Sequence, residues 1–196
     1  MAGDDLFGWS GDEGLEPECA YFFALMPKGP TQQQIGERRE SAIRARSVGR
    51  ASPVDDHRLH LSLCAPKTLK RLRAPFEQSL QRAGAEVKAS AFGLRLDGFD
   101  TFNGGFGQPC RVLRSDAASS TRVQALKDSL GRALFNQGFG WDGGTLAPHV
   151  TLFYADHLES PYSPAEAVEW HVDEFVLVRS RVGKHRHDII GRWPLH

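Results

Sequence analysis

Hydrophobic residues repeat along this chain with two different periods, and the changes of period divide it into strands and helices. AYFFALMP, closed by Pro27, is a short aromatic-rich apolar run that reads as a buried strand. Thr31 to Gln34 then gives T-x-x-Q, a capping-box pattern just after Pro30. It predicts a helix to about Ser47 with Ile35, Ala42 and Ile43 inward and Arg38, Arg39, Arg44 and Arg46 on the other face. Residues 49–56 read as a loop and RLHLSL, Arg58 to Leu63, as a second strand stopped by Pro66. From Thr68 to about Ala83, Leu69, Leu72, Phe76 and Leu80 recur at spacings of three and four, which predicts an amphipathic helix. Strands follow at Ala89–Leu96 and Gln108–Ser115, divided by the turn NGGFG. A further helix, capped by Ser119 or Ser120, carries Val123, Leu126, Leu130 and Leu134 inward to about Gln137. After the loop GFGWDGG comes the strand APHVTLFY, Ala147 to Tyr154. The chain closes with Val168–Ser180 and His187–Trp193, a pair of strands around the basic turn RVGKHRH. Strands and helices are interleaved without strict β-α-β alternation, so the order predicts an α+β fold and not a doubly wound sheet.

Composition adds boundaries to this picture. With 196 residues, 40% of them hydrophobic and 24% charged, the chain fits one globular domain with a sizeable core. It holds no apolar run of membrane-spanning length, and its acidic, polar start does not resemble a secretory signal, so a cytoplasmic protein with no membrane partner is expected. Cys19, Cys64 and Cys110 are odd in number, widely spaced and form no C-x-x-C pair, which predicts reduced thiols. Formal charge is zero but unevenly spread: six of the 24 acidic residues lie in 1–18, with no Lys or Arg among them. Residues 19–196 therefore carry 24 basic against 18 acidic side chains. Residues 1–18 are expected to form a disordered acidic tail, and residues 19–196 a single domain.

The candidate chemistry lies on two of the strands. Strand side chains alternate between faces, so His149, Thr151 and Phe153 share one side of APHVTLFY, and Val150, Leu152 and Tyr154 share the other. A lone strand histidine is most often a packed residue bonded to backbone. RLHLSL, however, repeats the arrangement, with His60 and Ser62 on one face and Leu59, Leu61 and Leu63 on the other. Two matches to His-apolar-hydroxyl-apolar arise by chance in roughly one sequence in a hundred at this composition, so the pair says more than either member. Two imidazoles and two hydroxyls lining one cleft suit phosphodiester cleavage. Near neutral pH one ring accepts a proton while the other, protonated, donates one, and the hydroxyls donate to the non-bridging oxygens as charge builds there. The two strands must then be neighbours.

His60-Leu61-Ser62 and His149-Val150-Thr151 resemble the paired H-x-[ST] motifs of the 2H phosphoesterase superfamily, most closely its RNA 2′,3′-cyclic phosphodiesterase (2′-5′ RNA ligase, LigT-like) branch. YFFALMP, Pro148 and the closing FVLVRSRVGKHRHDIIGRWPL sit where that family has similar segments, so the likeness spans roughly Ala20 to Leu195. The resemblance implies a two-lobed α+β fold, each lobe an antiparallel sheet with helices outside, around a central cleft. It implies hydrolysis of a 2′,3′-cyclic phosphate to a 2′-phosphomonoester without metal or other cofactor, and in some members formation of a 2′-5′ linkage. The implied substrate is an RNA terminus or a small nucleotide carrying a cyclic phosphate, with no obligate protein partner. By motif, His60 is the general acid, His149 the base, and Ser62 and Thr151 hold the phosphate. One departure stands out: many relatives have arginine five residues after the second histidine, where this chain has Tyr154. Parity turns Tyr154 away from His149 unless a bulge intervenes, and puts Phe153 on the catalytic side, where it is a candidate to stack on a base or to pack in the core.

Other constellations weigh less. His185 and His187 share a face and, with Asp188 or His171, could resemble a metal pair, but a solvated basic turn is the expected reading. His57 and His60 fall on opposite strand faces. NGGFG lacks the lysine of a phosphate-binding loop, and no G-x-S-x-G occurs. Arginines 38, 39, 44, 46 and 50, with Lys67, Lys70, Arg71 and Arg73, form either a steering surface for RNA or a solvated helix face. The rival to an enzyme is a module on the same fold that binds RNA or a nucleotide without turning it over.

Overall fold

The computed structural model describes residues 19–44, 50–65, 74–104, 108–141, 143–158, 162–181 and 186–196, so the expected acidic tail lies outside it. Among the described residues, nine strands and three helices follow one another as β1 (Cys19–Leu25), α1 (Gly29–Arg44), β2 (Ala51–Pro53), β3 (Leu61–Cys64), α2 (Ala74–Glu86), β4 (Phe92–Asn103), β5 (Pro109–Ser115), α3 (Ala117–Asn136), β6 (His149–Ala155), β7 (Tyr162–Val172), β8 (Glu174–Arg181) and β9 (Arg186–Pro194). A 3-10 turn, Asp56–Arg58, leads into β3. The helices belong to the expected places, though α2 is described only from Ala74, because residues 66–73 lie outside the described chain.

All nine strands join one sheet in the order β7-β4-β5-β6-β3-β1-β8-β9, with β2 added to β6, and every pairing is antiparallel. The sheet is two four-stranded halves, β3-β1-β8-β9 and β6-β5-β4-β7, that meet where β3 pairs with β6 through Leu61 and Val150. This is the expected two-lobed α+β architecture. Helices cover one face: α1 lies on β6 and β7, α2 on β8 and β9, and α3 on β3 and β4 while also touching α2. Because α1 follows a first-half strand yet packs on the second half, the helical layer ties the halves together. Beneath it lies the main core, which includes Phe23, Ile35, Leu61, Leu80, Leu94, Leu130, Val150, Phe153 and Phe175.

Each half carries the same irregularity. On β3, Ser62 faces Ala24 of β1 and Cys64 faces the adjacent Phe23, so Leu63 is an extra residue. On β6, Thr151 faces Val112 of β5 and Phe153 faces the adjacent Arg111, so Leu152 is extra. A bulge therefore follows the hydroxyl of both H-x-[ST] segments, and it resets the alternation of side chains beyond that point.

Three sequence expectations change. Val168–Ser180 is not one strand: β7 ends at Val172 on the outer edge of the second half, and β8 starts at Glu174 beside β1. The interval 49–56, expected as loop, contributes β2. Helix α3 is capped by Asp116, whose carboxylate accepts the Ser119 N–H at 2.7 Å, while the Ser119 hydroxyl accepts the Arg95 N–H at 2.9 Å. At its far end Gly138 takes φ 84°, the left-handed conformation that stops a helix.

Candidate active site

The face opposite the helices carries the motif side chains. Leu59, Leu61 and Leu63 are buried in the core, as are Val150 and Leu152, so alternation turns His60, Ser62, His149 and Thr151 outward together. Extending the Leu61–Val150 register by one residue each way sets His60 opposite Thr151 and Ser62 opposite His149. Directly opposed residues on adjacent strands hold their Cβ atoms about 4.5–5.5 Å apart. Two imidazoles and two hydroxyls thus converge from segments 89 positions apart in the sequence.

Both rings are held in the same way. His60 Nδ1 lies 2.7 Å from the Arg58 carbonyl, and His149 Nδ1 lies 2.8 Å from the Ala147 carbonyl, two residues upstream in each case. A carbonyl only accepts, so each Nδ1 carries the hydrogen and each Nε2 is left to exchange a proton. Burial is the main influence that lowers both pKa values below the ordinary histidine value. The carbonyl bonds oppose it; for His60 the charges of His149 and Arg58 add to it, and for His149 that of Arg114.

The loop before β6 is fastened to α3, which fixes where His149 emerges. The Leu146 N–H donates to Gln124 Oε1 at 2.8 Å, Lys127 donates to the Gly144 carbonyl, and the Trp141 indole lies against Gly131 so closely that a Cβ there would collide with it. The Ser115 N–H donates to the Pro148 carbonyl at 3.1 Å.

The bulge after Thr151 exchanges the expected roles of the next two residues. Phe153, expected on the catalytic side, is fully buried in the main core. Tyr154, expected to face away, pairs with Cys110 and comes to the cleft face, half-buried, since Cys110 shares a face of β5 with Val112 and Arg114, the partners of Thr151 and His149. Burial raises the Tyr154 pKa and the nearby Arg58 opposes that rise.

Further cleft residues carry no motif of their own in the sequence. Arg58 precedes His60 by two positions, and its charge acts on His60, His187 and Tyr154 alike. Arg114 is the cross-strand partner of His149 and pairs with Asp100 at 2.6 Å. Phe102 meets the His149 ring edge-on at 4.7 Å between centroids. His187, expected in a solvated turn, sits on β9 with its ring 5.4 Å from that of His60. His185 lies outside the described residues, and among those described no group of three or more His, Cys, Asp or Glu side chains is placed to hold a metal ion. The basic face of α1 does not gather at the cleft: Arg38 is bonded to Glu166, and Arg39 to Val54 and Asp56. Lys67, Lys70, Arg71 and Arg73 lie outside the described residues. Among those described, no helix is long and apolar enough to cross a membrane.

Comparison with known proteins agrees with this fold. A family model described as the 2′-5′ RNA ligase superfamily matches residues 27–184. Escherichia coli LigT complexed with 3′-AMP is similar in structure, with a TM-score of 0.71 at 24% identity over 92% of this chain and 99% of that one. TT0787 of Thermus thermophilus gives 0.67 at 22% identity over 90% and 97%. A structure described as a phosphoesterase gives 0.65 at 25% identity over 92% and 99%. No curated protein matches the chain.

Proposed function

The chain belongs to the 2′-5′ RNA ligase superfamily, a group of 2H phosphoesterases with phosphodiesterase- or ligase-type activity, and we propose that it hydrolyses 2′,3′-cyclic phosphates at RNA termini or on small nucleotides. The observation that carries this reading is the mirrored pair of imidazoles, each locked through Nδ1 and each opposite a hydroxyl across the β3–β6 seam. A binding site has no need of a matched acid and base with free Nε2 atoms; an in-line displacement at phosphorus does.

In the proposed reaction a water oxygen attacks phosphorus as His149 Nε2 takes its proton. The P–O3′ bond breaks, and protonated His60 gives its Nε2 proton to the departing 3′ oxygen, leaving a 2′-phosphomonoester. Ser62 and Thr151 donate hydrogen bonds to the non-bridging oxygens. Arg58, close to His60 and Tyr154, supplies the positive charge that the tyrosine at position 154 does not, and the Tyr154 hydroxyl donates to the same phosphate group. With an RNA 5′-hydroxyl in place of water, the same displacement forms the P–O5′ bond as the P–O3′ bond breaks, so the same groups serve 2′-5′ ligation. No step uses a cofactor.

The deciding experiment follows a nucleoside 2′,3′-cyclic phosphate by phosphorus NMR in the presence of EDTA. A 2′-phosphomonoester product is expected, and His60→Ala and His149→Ala each lower kcat by about three or more powers of ten, with the double variant little worse than either. Turnover that stops with chelator overturns the metal-free mechanism. Tight nucleotide binding without product, unchanged in both variants, would leave a non-catalytic binding module.

A further inference from the structure

Each motif histidine meets a neighbouring ring edge-on. For His149 that ring is Phe102, 4.7 Å away between centroids, and for His60 it is His187, at 5.4 Å. His60 has a further neighbour in Phe22, whose ring lies 5.0 Å away and is tilted by 35°. Phe22 in turn meets His187 edge-on at 5.5 Å, so these rings close into a triangle. The triangle stands on an apolar floor in which Ala24, Val176 and Val178 are fully buried and Met26 and Ile189 pack on them beside Phe22. Strand register builds it, since Phe22 lies opposite Val178, Val178 opposite Ile189, and Ser180 opposite His187.

His187 takes no part in the proton transfers of the proposed reaction, and its Nδ1 is buried with no hydrogen-bond partner among the described residues. A protonated imidazole needs an acceptor for both of its N–H groups, so a ring with one nitrogen sealed in apolar surroundings stays neutral. Its other neighbours act in the same sense: burial first, then the charges of His60, Arg58 and His57, lower its pKa to about 4. The adjacent carboxylate on its own strand, Asp188, lies on the other face, opposite Arg179, and pairs with Arg186. From β1 and β8 the ring meets Phe22, Val178 and Ser180, none of them charged, and the charges acting on His60 itself are those of His149 and Arg58. What His187 offers His60 is therefore an uncharged ring in a fixed place. His60 has a use for one, because the second side-chain torsion of a histidine is broad and its Nδ1 bond to the Arg58 carbonyl anchors one atom without fixing where Nε2 points.

We propose that His187 is a positioning residue for His60: together with Phe22 it clamps the motif imidazole between two rings, so that Nε2 is held toward the phosphorus-bound oxygen it protonates. The inference rests on the reading of His60 as the general acid, and it adds why a third histidine stands beside that acid. A neutral ring suits the task, because His60 has to carry a positive charge before it gives up its proton, and a second cation in contact with it would expel that charge. Across the seam Phe102 stands in the matching place beside His149, a ring that no pH can charge.

The test compares His187→Ala, which removes the ring, with His187→Phe, which restores a neutral ring of similar shape, thermal denaturation confirming that both fold. Proton NMR follows the titration of His60 without substrate, its signal assigned by its loss in His60→Ala, and kcat and KM are measured on cytidine 2′,3′-cyclic phosphate in EDTA. His187→Ala is expected to admit water beside His60 and move its lowered pKa up toward 6.5. It is also expected to lower kcat about tenfold or more with KM little changed, as for a misaimed proton donor. His187→Phe returns both quantities toward wild type. Wild-type titration and wild-type kcat in His187→Ala overturn the proposal. So does a His187→Phe protein that folds yet behaves as His187→Ala does, since a hydrogen bond or charge of the imidazole would then be what matters. A His60 titration that responds as expected in a protein with no turnover keeps the clamp and loses the catalytic reading. Turnover of cyclic phosphate with neither quantity moved by His187→Ala does the reverse.

Discussion

At the scale of single residues, the site is governed by which hydrogen bonds and charges each ring meets. His60 and His149 both titrate below the ordinary histidine value, burial being the larger cause in each. Activity in kcat/KM is lost as pH falls through the pKa of the group acting as base and as it rises through that of the group acting as acid. With both values lowered from 6.5, the bell is expected to peak on the acid side of pH 6.5. Arg114→Gln removes the cation beside His149, raises its pKa and moves the optimum toward higher pH. An unchanged profile would show that Arg114 does not act on His149. The bulge makes a second contrast: Tyr154→Phe is expected to lower kcat/KM by about three- to tenfold with stability unchanged, as for loss of one hydrogen bond. Phe153→Ala is expected to cost about 3–5 kcal/mol of stability in denaturant titration. The reverse pattern would mean that parity runs unbroken through β6. His60 and His149 are legible in the sequence because one local pattern, an imidazole and a hydroxyl alternating with apolar residues, names them. Parity alone misplaces Phe153 and Tyr154, because one extra residue inverts every later side chain. Arg114 and His187 have no local pattern, since their place depends on which strand lies next to which, whereas Arg58 lies two positions before His60 and is marked by no motif.

At the scale of elements, pattern locates the helices well and their boundaries less well. The α3 stripe of Val123, Leu126, Leu130 and Leu134 is buried as its spacing requires, yet its cap is Asp116, because a carboxylate one turn before the serines reaches the first free N–H groups and leaves Ser119 to the Arg95 backbone. The closing strands read as one in the sequence because β7 and β8 are separated only by Asp173, and nothing local marks a chain that leaves one edge of the sheet to reappear beside β1. Helix α3 also sets the position of His149 through the loop it fastens. Gly131→Ala is expected to push Trp141 off the helix, costing about 1–3 kcal/mol in stability. It is also expected to reduce kcat by more than the accompanying loss of folded protein, because the support of β6 loosens. A variant with wild-type stability and wild-type kcat would show that the indole contact does not matter to the site.

At the scale of the whole molecule, two half-sheets repeat one device, a motif strand with its bulge just past the hydroxyl, and the candidate site is the seam between the copies. In the sequence this echo amounts to two similar tetrapeptides; the shared bulge and strand order that make it a structural repeat are long-range facts. The seam itself is narrow, with Leu61 and Val150 as the register pair, so sheet hydrogen bonding alone would leave the halves free to part. The helices prevent this, α1 by crossing to β6 and β7 and α3 by spanning β3 and β4. The halves should accordingly unfold together: calorimetry is expected to show one transition whose calorimetric and van't Hoff enthalpies agree, and two resolved transitions would mean independent lobes. A ligand gripped from both sides stabilises that cooperative unit by mass action, so adenosine 2′-monophosphate at a hundred times its dissociation constant should add about 2.7 kcal/mol to the unfolding free energy. Loss of either His60 or His149 should diminish that gain, because phosphate binding draws on both halves. If only one of the two substitutions weakens it, phosphate is held by a single half and the cleft is not a shared site.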